Sequence, residues 1–109
     1  MSQNHDSVTI NFSDFGGPVY IGRPKGEKAR ARFQLDLLDE TDQTVFIKIP
    51  EGTYSINSSF FLGFFGKSIR SAGSRESFLK KYQFSAPESL NEAIESFITR
   101  ALHEKKPMI

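Results

Sequence analysis

The chain has 109 residues, enough for one domain, because two halves of that length would each bury too small a core. Its 14 lysines and arginines against 13 aspartates and glutamates give a net charge of +1, which lacks the overall basic excess of a non-specific nucleic-acid binder. The sequence contains no cysteine, which excludes disulfides, thiolate nucleophiles and cysteine-ligated metal centres.

The first elements predicted are two strands joined as a hairpin. Residues 8–12 alternate apolar and polar side chains, which is typical of a half-buried strand, and residues 19–21 form a second short apolar run. The turn residues Asp14 to Pro18 lie between them and include two glycines.

The next segment, residues 27–38, fits either a strand or a helix. Its apolar residues alternate as in a strand, but its alanines, arginines, leucines and Glu27 favour a helix, which we predict. The dense apolar run 44–49, which Pro50 ends, predicts a central strand covered on both faces.

A second helix is predicted to begin at the polar segment before the phenylalanines, with Asn57 or Ser58 as its N-cap and Gly73 after its last turn. Four phenylalanines follow within six residues, and they form either a core cluster or an exposed patch for a partner. They cannot all face one way on a helix, so at least one should point away from the sheet: Phe60, Phe61, Phe64, Phe65.

The last third predicts a short helical turn at 75–80, a strand at 82–84 and an amphipathic helix that Pro87 opens. The whole order predicts a single-domain α/β fold, a mixed four-stranded sheet packed against about three helices. We place the domain at 8–103, between an N-terminal tail at 1–7 and a C-terminal tail at 104–109.

The densest basic segment, residues 23–32, has two interpretations. At the start of a helix it suits an anion, an acidic partner or a nucleic-acid backbone; otherwise it is a solvated helix face. Arg30 would be structural if it formed a buried pair with an acidic residue nearby. The candidates are Asp36, Asp39 and Glu51.

Two short motifs in this chain resemble the STAS-like family of unknown function, over roughly residues 8–103. The first reads Gly22-Arg23-x-x-Gly26-x-x-x-Arg30 and enters a helix. The second follows a buried strand and enters another helix, reading Ile56-Asn57-Ser58-Ser59-Phe60 with Phe64-Phe65-Gly66 after it.

The resemblance implies a STAS-like α/β fold and a regulatory protein, related to anti-anti-sigma factors, that binds a histidine-kinase-like ATPase. It implies a phosphoacceptor serine at the start of the second helix, a position that corresponds to Ser58, with Asn57 and Ser59 as the adjoining partner surface. It also marks Gly22, Arg23, Gly26 and Arg30 as an anion-binding or partner-binding loop. In the Asp-Ser-Ser/Thr-Gly pattern of the anti-anti-sigma relatives, an Asp stands where this chain has Asn57, and a Gly where it has Phe60. From the residues alone, Ser58 is a phosphoacceptor or an ordinary helix cap.

The sequence thus predicts a non-enzymatic regulatory or adaptor module, bacterial or phage-borne by the same resemblance. The alternative is a small nucleic-acid-associated protein that uses the basic segment 23–32. We predict no enzyme, metal or cofactor, because His5 and His103 lie near the chain ends and no nucleophile–base pair is recognisable.

The polar residues 1–7 lack the cationic and apolar segments of a secretory signal. No apolar run approaches the roughly 20 residues of a membrane span. We therefore expect a cytoplasmic protein.

Overall fold

Strands and helices alternate along the computed structural model, which describes residues 7–15, 19–51 and 55–104. The strands are β1 (Ser7–Asn11), β2 (Val19–Tyr20), β3 (Thr44–Lys48), β4 (Ser55–Ile56) and β5 (Tyr82–Ser85). The helices are α1 (Arg23–Arg32), α2 (Leu35–Leu38), α3 (Ser58–Ala72), α4 (Arg75–Lys81) and α5 (Glu88–His103), and a 3₁₀ turn spans Phe12–Phe15. This arrangement confirms a compact α/β domain.

The strands form two parallel sheets instead of the single mixed sheet that the sequence predicted. One has three strands in the order β1-β3-β5, and the other pairs β2 with β4. The predicted hairpin is therefore wrong, because β1 and β2 each pair with a later strand that lies beyond a helix. The 3₁₀ turn Phe12–Phe15 carries the chain from one sheet to the other, and the predicted turn residues 16–18 lie outside the described part.

Helix α3 lies at the centre of the core, and its phenylalanines pack in two directions. Phe61 stacks on Phe84 of β5 with ring centroids 5.9 Å apart, and Phe65 packs edge to face on the same ring at 5.3 Å. Phe60 and Phe64 instead contact Phe12, at 6.0 and 5.7 Å. All four rings on α3 are buried, so the exposed-patch interpretation is wrong and the core interpretation is confirmed.

The three-stranded sheet is buried on one face only. Val45 and Ile47 of the central strand β3 lie in the core, whereas Phe46 between them is 39% exposed. Phe46 shares a row with two exposed polar residues of the edge strands, Thr9 and Gln83. The prediction that this strand is covered on both faces is therefore wrong.

Helix α1 confirms helix over strand for the ambiguous segment, but its bounds differ from the predicted 27–38. It begins at Arg23 with Pro24 in its first turn, a position where the missing N–H of proline has no cost. It ends at Arg32 with Phe33 as its C-cap, and Gln34 then takes a left-handed conformation with φ 56° before α2 begins.

The remaining helices lie close to their predicted places. Asn57 caps α3, and Gly73 follows its last turn with φ 86°, as the sequence indicated. Helix α5 packs its apolar stripe on the core through Leu90, Ile94, Ile98 and Ala101. None of the helices in the described ranges is both long enough and apolar enough to cross a bilayer.

Two residues that the sequence analysis placed in the tails belong to described elements. Ser7, placed in the N-terminal tail, is the first residue of β1, and Glu104, placed in the C-terminal tail, caps α5. The other tail residues, 1–6 and 105–109, lie outside the described part.

Candidate functional site

The two segments singled out in the sequence lie at one edge of the small parallel sheet. Tyr20 of β2 pairs with Ile56 of β4, and the backbone N–H of Asn57 donates to the Tyr20 carbonyl oxygen at 2.8 Å. Gly22 and Ser58 therefore both follow the carboxyl ends of adjacent parallel strands. This is the edge at which α/β proteins commonly place their binding sites.

Ser58 is the first residue of α3, and its hydroxyl does not cap the helix. The Asn57 side-chain oxygen accepts hydrogen bonds from the backbone N–H groups of Ser59 at 2.8 Å and Phe60 at 3.3 Å. The Ser58 hydroxyl instead accepts a hydrogen bond of 3.2 Å from Nη1 of Arg100 on α5. Ser58 is half-buried, and its neighbours Asn57 and Ser59 are exposed.

Ile21 is an apolar residue at this edge. The sequence had placed it in the predicted strand 19–21. It follows β2 directly, next to the backbone contact between Tyr20 and Asn57, and is 57% exposed. Arg100 was also missed, because its position on the polar face of α5 gave no sign of a contact with Ser58. No local sequence signal distinguishes either residue from its neighbours.

The glycines of the first motif position α1 against α3. Gly22 precedes α1 with φ 102°, a backbone conformation that residues with a side chain rarely adopt. A Cβ at Gly26 would lie 2.1 Å from the Phe60 carbonyl oxygen, and a Cβ at Gly63 would lie 2.5 Å from the Arg23 carbonyl oxygen. Gly26 therefore serves the close approach of the two helices.

Arg30 is structural. It is only 8% exposed, and its Nε and Nη2 donate to Asp36 Oδ1 at 3.0 and 2.8 Å. Nη2 also donates to Asp39 at 2.8 Å, while Nη1 donates to the Phe64 carbonyl at 3.0 Å and to Ser68 at 2.9 Å. Two of the three predicted acidic partners are thus correct, and the fully engaged guanidinium favours the structural interpretation over the anion site.

Asp39 joins this arginine to the core strand β5. The Ser68 hydroxyl donates to Asp39 Oδ2 at 2.8 Å, and the Tyr82 hydroxyl donates to Asp39 Oδ1. Burial, together with this bond to Asp39, raises the pKa of the Tyr82 phenol well above its usual value. The hydrogen bonds from Arg30 hold the pKa of the Asp36 carboxyl below its usual range, so Asp36 stays ionised.

The other cations of the basic segment lie at the surface of α1. Arg23, Lys25 and Lys28 are exposed. The guanidinium of Arg32 lies 5.4 Å from the centroid of the Phe33 ring and 3.4 Å from the Asp14 carbonyl oxygen. The segment is therefore a solvated face apart from Arg30.

Comparison of the chain with protein-family models, with curated proteins and with solved structures found no match.

Proposed function

We propose that this chain is a non-enzymatic regulatory module that binds a protein partner at the carboxyl ends of β2 and β4. The observation that carries the proposal is the placement of exposed Ile21 beside the exposed Asn57 and the half-exposed Ser58. An apolar anchor surrounded by polar groups is the usual anatomy of a protein–protein contact. The resemblance of the motif around Ser58 to the STAS-like family supports a histidine-kinase-like ATPase as the partner.

The same edge suits a phosphorylation switch at Ser58. Because Asn57 already caps α3, modification of the Ser58 hydroxyl leaves the cap in place. A phosphate carries about −1.5 to −2 charges, which the helix N-terminus and the neighbouring Arg100 stabilise. Its charge beside Ile21 raises the cost of docking an apolar partner surface there, and so releases the partner.

The test is a calorimetric titration of the chain with a candidate histidine-kinase-like ATPase. We expect Ile21→Ser and Ser58→Asp to weaken binding and Ser58→Ala to retain it. Leu37→Ser is the matched control, because Leu37 is similarly exposed, at 59%, but lies on α2. Equal affinities for all variants would refute the surface, and equal affinities for the two Ser58 variants alone would refute the switch. Mass spectrometry after incubation with ATP then checks for phosphate on Ser58.

A second candidate function, nucleic-acid association, is favoured by the exposed cations Arg23, Lys25 and Lys28 along α1. Phosphate contacts of this kind release counterions, so the affinity for DNA or RNA would fall steeply as salt rises. Oligonucleotide binding measured over a salt series separates the two candidates, since docking around Ile21 depends much less on ionic strength.

A further inference from the structure

A groove of about 420 Å³ lies between α1 and α3, on the side of α1 that faces Lys67. One wall carries Arg23 and Glu27, which are one turn apart on α1, and the other carries Lys67 and Arg70 of α3. Its volume is within the range of small-ligand sites, which begins at about 300 Å³. The groove does not include Ser58 or Ile21, so it is separate from the partner surface proposed above.

Three cationic groups in the groove are available to a ligand. Within the described part of the chain, the Arg23 guanidinium has no hydrogen-bond or ion-pair partner. The Lys67 amine lies 3.8 Å from Asp36, and Arg70 lies 3.8 Å from Glu104. Both distances exceed that of a direct hydrogen bond, about 2.7–3.2 Å, so neither cation has a strong partner. Arg30 also borders the groove, but its donors are all used by the buried network.

The two acidic groups that border the groove differ in whether they already have a hydrogen-bond partner. Asp36 is bonded through Oδ1 to Arg30, but Arg30 also pairs with Asp39, so the Asp36 charge is only partly balanced. Glu27 has no hydrogen-bond or ion-pair partner within the described residues and remains an acceptor. The groove thus offers three cations together with two carboxylates, of which Glu27 is the one without a partner in the described part of the chain. A ligand that has a phosphate group and also hydrogen-bond donors matches this set.

Gly66 gives Arg70 its position beside the groove. The three atoms nearest to a Cβ at Gly66 would all belong to the Arg70 guanidinium, with Nη1 the nearest at 3.3 Å. Helix packing therefore does not require this glycine, unlike Gly26 and Gly63. The absence of a side chain at Gly66 leaves this space to the Arg70 guanidinium.

We propose that the groove between α1 and α3 binds a nucleoside phosphate, with the phosphates held by Arg23, Lys67 and Arg70 and a hydroxyl or amino group donating to Glu27. Arginine and lysine side chains are the usual partners of phosphate oxygens. The carboxylate distinguishes this ligand from a bare anion, which Glu27 would repel. Nucleotide binding at this groove would be a second activity beside the proposed binding of a protein partner. The two proposals are independent of each other.

The test is calorimetric titration of the full chain with ADP, GDP and pyrophosphate. We expect a nucleoside diphosphate to bind, and Arg23→Gln and Lys67→Gln each to weaken it about tenfold, the effect of one lost charge-assisted hydrogen bond. Lys28→Gln is the matched control, because Lys28 is an exposed cation of α1 that does not line the groove. Glu27→Gln is expected to improve pyrophosphate binding. Thermal unfolding of each variant checks that the fold is intact.

Three results would overturn the proposal. The first is no binding of either nucleotide at millimolar concentration to the correctly folded chain. The second is an equal loss in Lys28→Gln, which would assign the binding to diffuse positive charge. The third is tighter binding of a single-stranded oligonucleotide with the same dependence on Arg23 and Lys67, which would assign the groove to nucleic acid. Loss of partner binding in Ile21→Ser with nucleotide binding unchanged would show that the two surfaces are independent.

Discussion

At the scale of single residues, Asn57 and Ser58 divide two tasks that the sequence alone could not separate. Both are residue types that cap helices, and they are adjacent. The structure gives the cap to Asn57, whose side chain accepts from two backbone N–H groups of α3. Ser58 is left with an exposed contact to Arg100, which contributes little to stability.

Alanine substitutions separate these tasks. We expect Asn57→Ala to lower the free energy of unfolding by about 0.5–2 kcal/mol, the usual value of an N-cap. Ser58→Ala should leave it within about 0.5 kcal/mol of the wild type, as for other surface substitutions. Urea denaturation of both variants measures the difference. A larger loss in Ser58→Ala than in Asn57→Ala would contradict the assignment of the cap.

Arg30 shows at the same scale how a charge is stabilised inside this protein. Its three nitrogens donate to Asp36, Asp39, Ser68 and the Phe64 carbonyl, so no donor is left unsatisfied by burial. The two acidic partners that the structure shows, Asp36 and Asp39, lie within nine positions of Arg30, so the sequence could name them among its three candidates. It could not identify Ser68 or Phe64, which come from α3 and reach Arg30 only through the tertiary fold.

At the scale of elements, the crossing of α1 on α3 depends on glycines at the points where the backbones meet. The Phe60 carbonyl oxygen occupies the space that a side chain at Gly26 would need. Neither helix can move aside easily, because α3 is fixed by its phenylalanines in the core. Gly63 of α3 likewise faces the backbone of α1, whereas the atoms nearest to a Cβ at Gly66 would belong to the Arg70 side chain.

Alanine at these glycines therefore has opposite effects. Gly26→Ala should cost at least about 1–3 kcal/mol, the usual cost of overpacking, because its Cβ would overlap a backbone oxygen. Gly66→Ala is the control: it should be neutral or gain up to about 1 kcal/mol from helix propensity, since only the flexible Arg70 side chain must move. Thermal unfolding of both variants tests this, and a Gly26→Ala variant as stable as Gly66→Ala would exclude the tight crossing.

Local signals in the sequence predicted the helices better than the strands. Two local signals marked the helices: the apolar stripe of α5, and the polar and glycine residues at the ends of α3. Each signal comes from residues that are close together in the sequence, and the helices predicted from them agree with the observed α3 and α5. Strand pairing joins residues that are far apart in the chain, so no local sequence pattern indicated which strands pair with β1 and β2. The start of α1 was missed because Gly26 suggests a loop, whereas contact with α3 requires glycine within the helix.

In the candidate site, too, the residues marked by the local sequence could be predicted and those brought together by the tertiary fold could not. The motif around Ser58 was visible because its polar residues precede an apolar helix. Ile21 and Arg100 were not, because exposure and contact depend on the pairing of β2 with β4 and on the docking of α5. Lys67 and Arg70 likewise join the groove only once α1 lies against α3.

At the scale of the whole molecule, one polar network connects elements from both halves of the chain. Asp39, just after α2, accepts hydrogen bonds from Arg30 of α1, Ser68 of α3 and Tyr82 of β5. The network lies behind the groove and holds the wall that α1 contributes. Its integrity depends on the Tyr82 phenol remaining protonated, because a phenolate would face the Asp39 carboxylate at hydrogen-bond distance.

The dependence of stability on pH tests this network. Burial and the bond to Asp39 raise the pKa of Tyr82 in the folded state above its unfolded value of about 10. The folded state therefore binds this proton more tightly than the unfolded state does. The contribution of Tyr82 to the free energy of unfolding is fully present below about pH 10 and is lost as the pH rises above that value. We expect the free energy of unfolding to fall more steeply above that pH in the wild type than in Tyr82→Phe, which has no phenol to ionise. Urea denaturation at a series of pH values measures both curves, and Tyr20 and Tyr54, present in both proteins, cancel in the comparison. Parallel curves would mean that the hydroxyl titrates in the folded protein as it does in the unfolded chain, and that the bond to Asp39 does not hold the proton.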